Sequence, residues 1–98
     1  MDLPNLAILF GAYYHQDWMI DDGSAVAVRH RFIKEEPESV VNGAAIELGR
    51  LLSLTNHDDD LDTIVFRQLH SYYDPTSEGS SLRQWLLETQ QALSDRGS

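Results

Sequence analysis

Pro37-Glu38-Ser39-Val40-Val41-Asn42-Gly43-Ala44-Ala45-Ile46-Glu47-Leu48-Gly49-Arg50-Leu51-Leu52-Ser53-Leu54 is the stretch that decides the fold class. Val40, Val41, Ala44, Ala45, Leu48, Leu51 and Leu52 recur at helical spacing and wind onto one broad apolar stripe. Pro37 fits the first turn, where a missing N–H is no loss, and Glu38 suits the positive end of the helix dipole. Gly43 and Gly49 leave room for a close neighbour, and Asn56-His57-Asp58 supplies the stop and the next cap.

Working back from this helix, Glu36-Pro37 closes an earlier one, because the residue before proline avoids the α region. That second helix covers about Ser24 to Lys34, with Ala25, Val28 and Phe32 on one face and Val26 and Ile33 beside it; its valines equally support a strand. Gln16 to Gly23 reads as a loop, closed by the turn and cap signal Asp21-Asp22-Gly23-Ser24. A first helix runs from Pro4-Asn5 to about Tyr14 on Leu6, Leu9, Phe10 and Tyr13. Gly11 inside it costs up to ~1 kcal/mol and reads as the mark of a close helix contact.

Forward of the stretch, a fourth helix runs from about Asp59 to Tyr72 with Leu61, Ile64, Val65 and Leu69 inward. Asp74-Pro75-Thr76-Ser77-Glu78-Gly79-Ser80 is a turn-rich loop. A fifth helix begins near Ser81 and carries Leu82, Trp85, Leu86, Thr89 and Leu93; Asp95 to Ser98 reads as a frayed end, with Arg96-Gly97-Ser98 as a cloning remnant. Connections are short and no two runs form a hairpin. The expectation is all-α: one compact domain over residues 1–98, a bundle of about five helices.

Composition narrows the function. The 98 residues are 42% apolar, enough for one modest core. No apolar run reaches the ~18 residues of a membrane span, and Met1-Asp2-Leu3-Pro4 lacks the positive region of a secretory signal, so a cytoplasmic protein is expected. With no cysteine there is no disulfide, thiolate nucleophile or cysteine zinc site. Sixteen acids against seven bases give a formal net charge of -9. That sign repels phosphate backbones and anionic membranes and favours a basic partner. Eight carboxylates (Glu35, Glu36, Glu38, Glu47, Asp58, Asp59, Asp60, Asp62) lie between residues 35 and 62 with Arg50 as the one base.

Residues that could carry chemistry do not assemble into a reaction. Tyr13-Tyr14-His15-Gln16-Asp17-Trp18 either locks a helix end into a core or presents a binding surface. His15 and Asp17 supply at most two of the three or four ligands a metal needs, and His57, Asp58, His70 and Asp74 would have to add the rest. The plainer reading has Asp17 capping backbone donors and His15 bonding a carbonyl beside Trp18, which itself reads as core or as loop surface. Asp58, Asp60 and Asp62 fit positions 1, 3 and 5 of a calcium loop, but Thr63 stands where glycine is needed and Leu69 where glutamate is needed. These aspartates read instead as an over-supplied N-cap with a partner-binding role. His70 falls on the predicted helix as a surface or core-edge residue, and Trp85 falls in a core stripe. Tyr72 and Tyr73 read as packing the helix end or as anchors for a partner. No phosphate-binding glycine loop, nucleophile triad or HExxH motif is present, so no enzyme, cofactor or metal is expected.

Several segments resemble one family in order along the chain. They are Leu9-Phe10-Gly11-Ala12-Tyr13-Tyr14-His15-Gln16-Asp17-Trp18, Ala45-Ile46-Glu47-Leu48 with Leu51-Leu52, Tyr73-Asp74-Pro75, and Leu82-Arg83-Gln84-Trp85-Leu86. This set is similar to the immunity proteins of bacterial contact-dependent growth inhibition systems, the CdiI-like family of small helical proteins. The resemblance implies a cytoplasmic protein that binds the cognate C-terminal toxin domain, commonly a nuclease, and protects its own cell. Such a toxin is basic where it holds its substrate, so an acidic inhibitor can meet that surface and imitate phosphate. His15, Asp17, Trp18, Trp85 and Leu86 are then assigned to structure. The interface is assigned to Asp21, Asp22, Glu35, Glu36, Asp58, Asp59, Asp60 and Asp62, with Tyr72 and Tyr73 as anchors. An acidic regulatory adaptor or nucleic-acid mimic, and a small metal-dependent hydrolase, are the competing readings; oligomeric state stays open.

Overall fold

The stripe of residues 40–52 is the axis of the molecule: Val41, Ala44, Leu48 and Leu51 are fully buried, Ala45 nearly so, and Val40 and Leu52 pack at its edge. The structure, a computed structural model, describes residues 2–15, 23–55, 57–75, 79 and 81–95. Its five α-helices are α1 (Pro4–Ile8), α2 (Ala25–Glu35), α3 (Glu38–Leu54), α4 (Asp58–Asp62) and α5 (Leu82–Asp95). There is no strand among the described residues. α5 and α1 lie along α3, α2 packs on the end of α1, and α4 packs on α5. The radius of gyration is 12.3 Å, close to the ~13 Å of a compact chain of this length.

Local chemistry accounts for the helix starts. Ser24 Oγ accepts from Ala27 N at 3.1 Å, which resolves the strand-or-helix ambiguity of the valine-rich segment in favour of a capped helix. Ser81 Oγ does the same for α5, accepting from Gln84 N at 3.0 Å. Pro37 is the N-cap of α3 rather than its first helical residue, and its carbonyl accepts from Val40 N and Val41 N. Gly49 faces α5, where a Cβ would come within 2.9 Å of Gln90 Nε2, and Gly43 faces α1, where a Cβ would collide with the Asn5 amide. Gly11 is different: a Cβ there would meet Leu69 O only at 3.9 Å, so no close contact requires it.

Two predicted helices wind differently from expectation. α1 passes into a π turn over Leu9–Tyr13, closed by Tyr14 N donating to Leu9 O at 3.1 Å. α4 passes into a second π turn over Thr63–Gln68, so the helix ends before Tyr72. His70 stops it with φ at 60°, the left-handed conformation, and is therefore not a helix-face residue. Ser71 N returns to Val65 O at 3.1 Å, like a Schellman close one residue wider than usual. At the other end of the chain, Asp95 still belongs to α5.

Candidate functional site

The paired tyrosines after α1 turn to opposite sides. Tyr14 is fully buried; its ring stacks on Tyr73 at 5.5 Å and meets Trp85 edge-on at 5.4 Å, and its hydroxyl donates to Ala25 O at 2.7 Å. Phe10 completes the cluster, 6.1 Å from Trp85. Tyr13 faces α2, edge-on to Phe32 at 5.2 Å and beneath the Arg31 guanidinium at 4.7 Å. Its hydroxyl donates to Glu36 Oε2 at 2.7 Å. Burial, then the Glu36 carboxylate, push the Tyr13 phenol well above the usual tyrosine range. Tyr13 and Tyr14 lock a helix end into the core. Trp85 and Leu86 lie in the same core, and His15 is half-buried beside it. Asp17 and Trp18 lie outside the described residues.

The acids expected to form one face are distributed among different tasks. Glu47 is buried, 5% exposed; its carboxylate accepts from Asn5 N and Leu6 N at 3.0 Å and from Asn5 Nδ2 at 2.6 Å. It caps α1 from α3 and takes no part in any surface. Glu36 holds Tyr13, and Glu35 lies 3.6 Å from Arg31 one turn back on α2. The start of α4 is not capped by an aspartate: Thr55 Oγ1 accepts from His57 N at 3.2 Å and donates to Asp60 Oδ2 at 3.1 Å. Asp59 and Asp62 are exposed on α4. Asp21 and Asp22 lie outside the described residues, as does the side chain of Asp58. Glu35 and Glu36 stand at the end of α2, before α3 begins, and Asp59 and Asp62 follow its end; the 17 residues of α3 between them are roughly 24 Å long at 1.5 Å per residue. α3 therefore separates the acidic stretch along the chain into two groups.

The two tyrosines that follow α4 also part. Tyr73 is 4% exposed and packs between Tyr14 and Trp85, which corrects its reading as a surface anchor; the ring contacts available in the core pull it inward. Tyr72 is 64% exposed. It lines a groove of about 270 Å³ with Phe66, His70 and Ser71. His70 was read from the sequence as a surface or core-edge residue of a helix, and Phe66 was assigned to no surface; the available signal for Phe66 was that it falls off the inward spacing of Leu61, Val65 and Leu69. Among the described residues no three His, Asp or Glu side chains converge as a metal site, and no helix is long and apolar enough to cross a membrane.

Comparison with known proteins places the chain. A family model described as CdiI immunity protein matches residues 2–93. A chain in the crystal structure of a CdiA-CT/CdiI complex from Y. kristensenii 33638 superposes with a TM-score of 0.87 at 26% identity, covering 93% of this chain and 97% of that one. No curated protein matches. With nearly its whole length inside the matched region, this chain belongs to the CdiI immunity protein family.

Proposed function

We propose that this immunity protein binds the cognate C-terminal toxin domain of a contact-dependent growth inhibition system and neutralises it by covering the toxin's working surface. The family match over residues 2–93 carries this reading. The solved relative of the same fold was crystallised as a CdiA-CT/CdiI complex, which supports a partner of the same kind here. The protein acts by occupancy, in the cytoplasm, with no catalytic group, cofactor or metal of its own. Its formal charge of -9 favours a basic toxin, and a nuclease fits, since an enzyme that holds a phosphate backbone presents positive charge in its cleft. Exposed Asp59 and Asp62 on α4, with Asp58 and Asp60 beside them in sequence and Glu35, Glu36, Asp21 and Asp22 elsewhere in the chain, supply the complementary field.

Calorimetry with the purified toxin domain encoded beside this chain, at two salt concentrations, is the test. Binding with a Kd of about 1 nM or tighter that weakens with salt is expected. Tight binding indifferent to salt would retain the immunity function and remove the acidic face from it. Absence of binding would overturn the reading.

A further inference from the structure

α4 and the chain that follows it build one continuous surface. Asp59 and Asp62 are exposed three residues apart, and Phe66 follows Asp62 by four residues, about one turn in either α or π winding. The carboxylates and the ring therefore share one side of the helix. Phe66 is half-buried and forms one wall of the groove that His70, Ser71 and Tyr72 complete. Tyr72 projects from a backbone fixed on both sides. Its N–H donates to Tyr14 O at 3.0 Å, Ser71 Oγ donates to Tyr73 O at 3.0 Å, and the next ring, Tyr73, is stacked in the core. An exposed aromatic ring on a fixed stalk loses little freedom on binding, which is what a binding anchor needs. Asp59, Asp60 and Asp62 are exposed on the helix that leads to the groove, and between Arg50 and Arg83 the sequence carries six acids (Asp58, Asp59, Asp60, Asp62, Asp74, Glu78) against one base, Arg67.

We infer that this groove is the centre of the toxin interface and takes an arginine or lysine side chain from the toxin's basic surface. The alkyl stem lies against Phe66 and Tyr72, and the cationic head faces the carboxylates of Asp59 and Asp62. Aromatic faces attract cations, long basic side chains bury their stems on apolar surface, and a carboxylate beside the ring completes the site. A purely apolar insert would make no use of the charge lined up on α4. The inference rests on the immunity function above and locates its energetic centre.

The test measures association and dissociation of the purified toxin domain with the full chain and three variants. Tyr72→Ala is expected to speed dissociation by about tenfold or more, and Tyr72→Phe, which keeps the ring, to stay within about twofold of the parent. Tyr72→Leu keeps apolar bulk without an aromatic face and is expected to behave like Tyr72→Ala. Unchanged melting temperatures confirm that the fold is intact, as the 64% exposure of Tyr72 implies. Parent-like dissociation by Tyr72→Ala, alongside a tightly binding parent, overturns the inference and leaves the immunity function standing. Parent-like dissociation by Tyr72→Leu alone overturns the cationic occupant. A parent that does not bind the toxin overturns both the function and this site.

Discussion

Glu47 belongs to α3 but serves α1. α1 has no acid in its own first turn, and the Glu47 carboxylate takes two of its free N–H groups together with the Asn5 amide. Removing it leaves buried donors unpaired, so Glu47→Ala is expected to cost about 3 kcal/mol in chemical denaturation, and Glu47→Gln, which keeps one acceptor oxygen, about half that. A loss below about 0.5 kcal/mol in the alanine variant would refute the capping role. Nothing in the count of acids along residues 35–62 distinguished Glu47 from its neighbours, because charge is local in sequence and the partner is 41 residues away. Its position on the helix did carry a hint, since it falls between Ala44 and Leu48 on the buried stripe. Tyr13 was legible in the reverse sense: its spacing predicted the core, but its bond to Glu36 had no sequence signal. The raised Tyr13 phenol gives this contact a pH signature. Its stabilisation is complete below the unfolded tyrosine value of about 10 and is lost as pH rises above it, because the unfolded chain releases the proton first. Tyr13→Phe should therefore flatten the alkaline limb of a stability-versus-pH curve, and an unchanged limb would show that the phenol is not held as the structure has it.

Helix existence followed from apolar spacing, while helix winding did not. Leu61, Val65 and Leu69 are four apart and all buried, a spacing that fits an α-helix and a π turn alike. What separates the two is how the element ends, and that is decided by tertiary contacts: Tyr73 drawn into the Tyr14–Trp85 cluster and Tyr72 N–H bound to Tyr14 O. The chain reaches those partners by passing through the left-handed conformation at His70, among the described residues the one non-glycine with positive φ. A side chain there stores strain of about 1 kcal/mol. His70→Gly is expected to raise stability by about 0.5–1 kcal/mol in chemical denaturation, and His70→Val to lower it, because a β-branched residue resists this conformation most. Equal stabilities for glycine and valine would mean that the turn does not impose that φ. Because His70 also lines the Tyr72 groove, its strained backbone holds the groove's shape as well as the helix end.

The molecule measures 31 × 29 × 21 Å, and α3, which separates the two acidic groups in sequence, is roughly 24 Å long. A standard interface covers about 800 Å² per partner, a disc about 30 Å across, so a bound toxin can reach both groups. The two groups differ in what they stand beside. At the α2–α3 corner Glu35 is engaged by Arg31 and Glu36 by Tyr13, so part of their field is already spent within the fold. Asp59 and Asp62 are exposed on α4, and Phe66, about one turn beyond Asp62, lines the Tyr72 groove. Charge reversal should therefore be unequal. Asp59→Lys with Asp62→Lys is expected to lower kon by about tenfold or more at low salt and to reduce its salt dependence. The matching pair Glu35→Lys with Glu38→Lys is expected to change kon several-fold less. Stopped-flow association with the toxin domain across a salt series reads all of this directly. A larger effect from the α2–α3 corner would move the centre of recognition away from α4 and overturn this ranking.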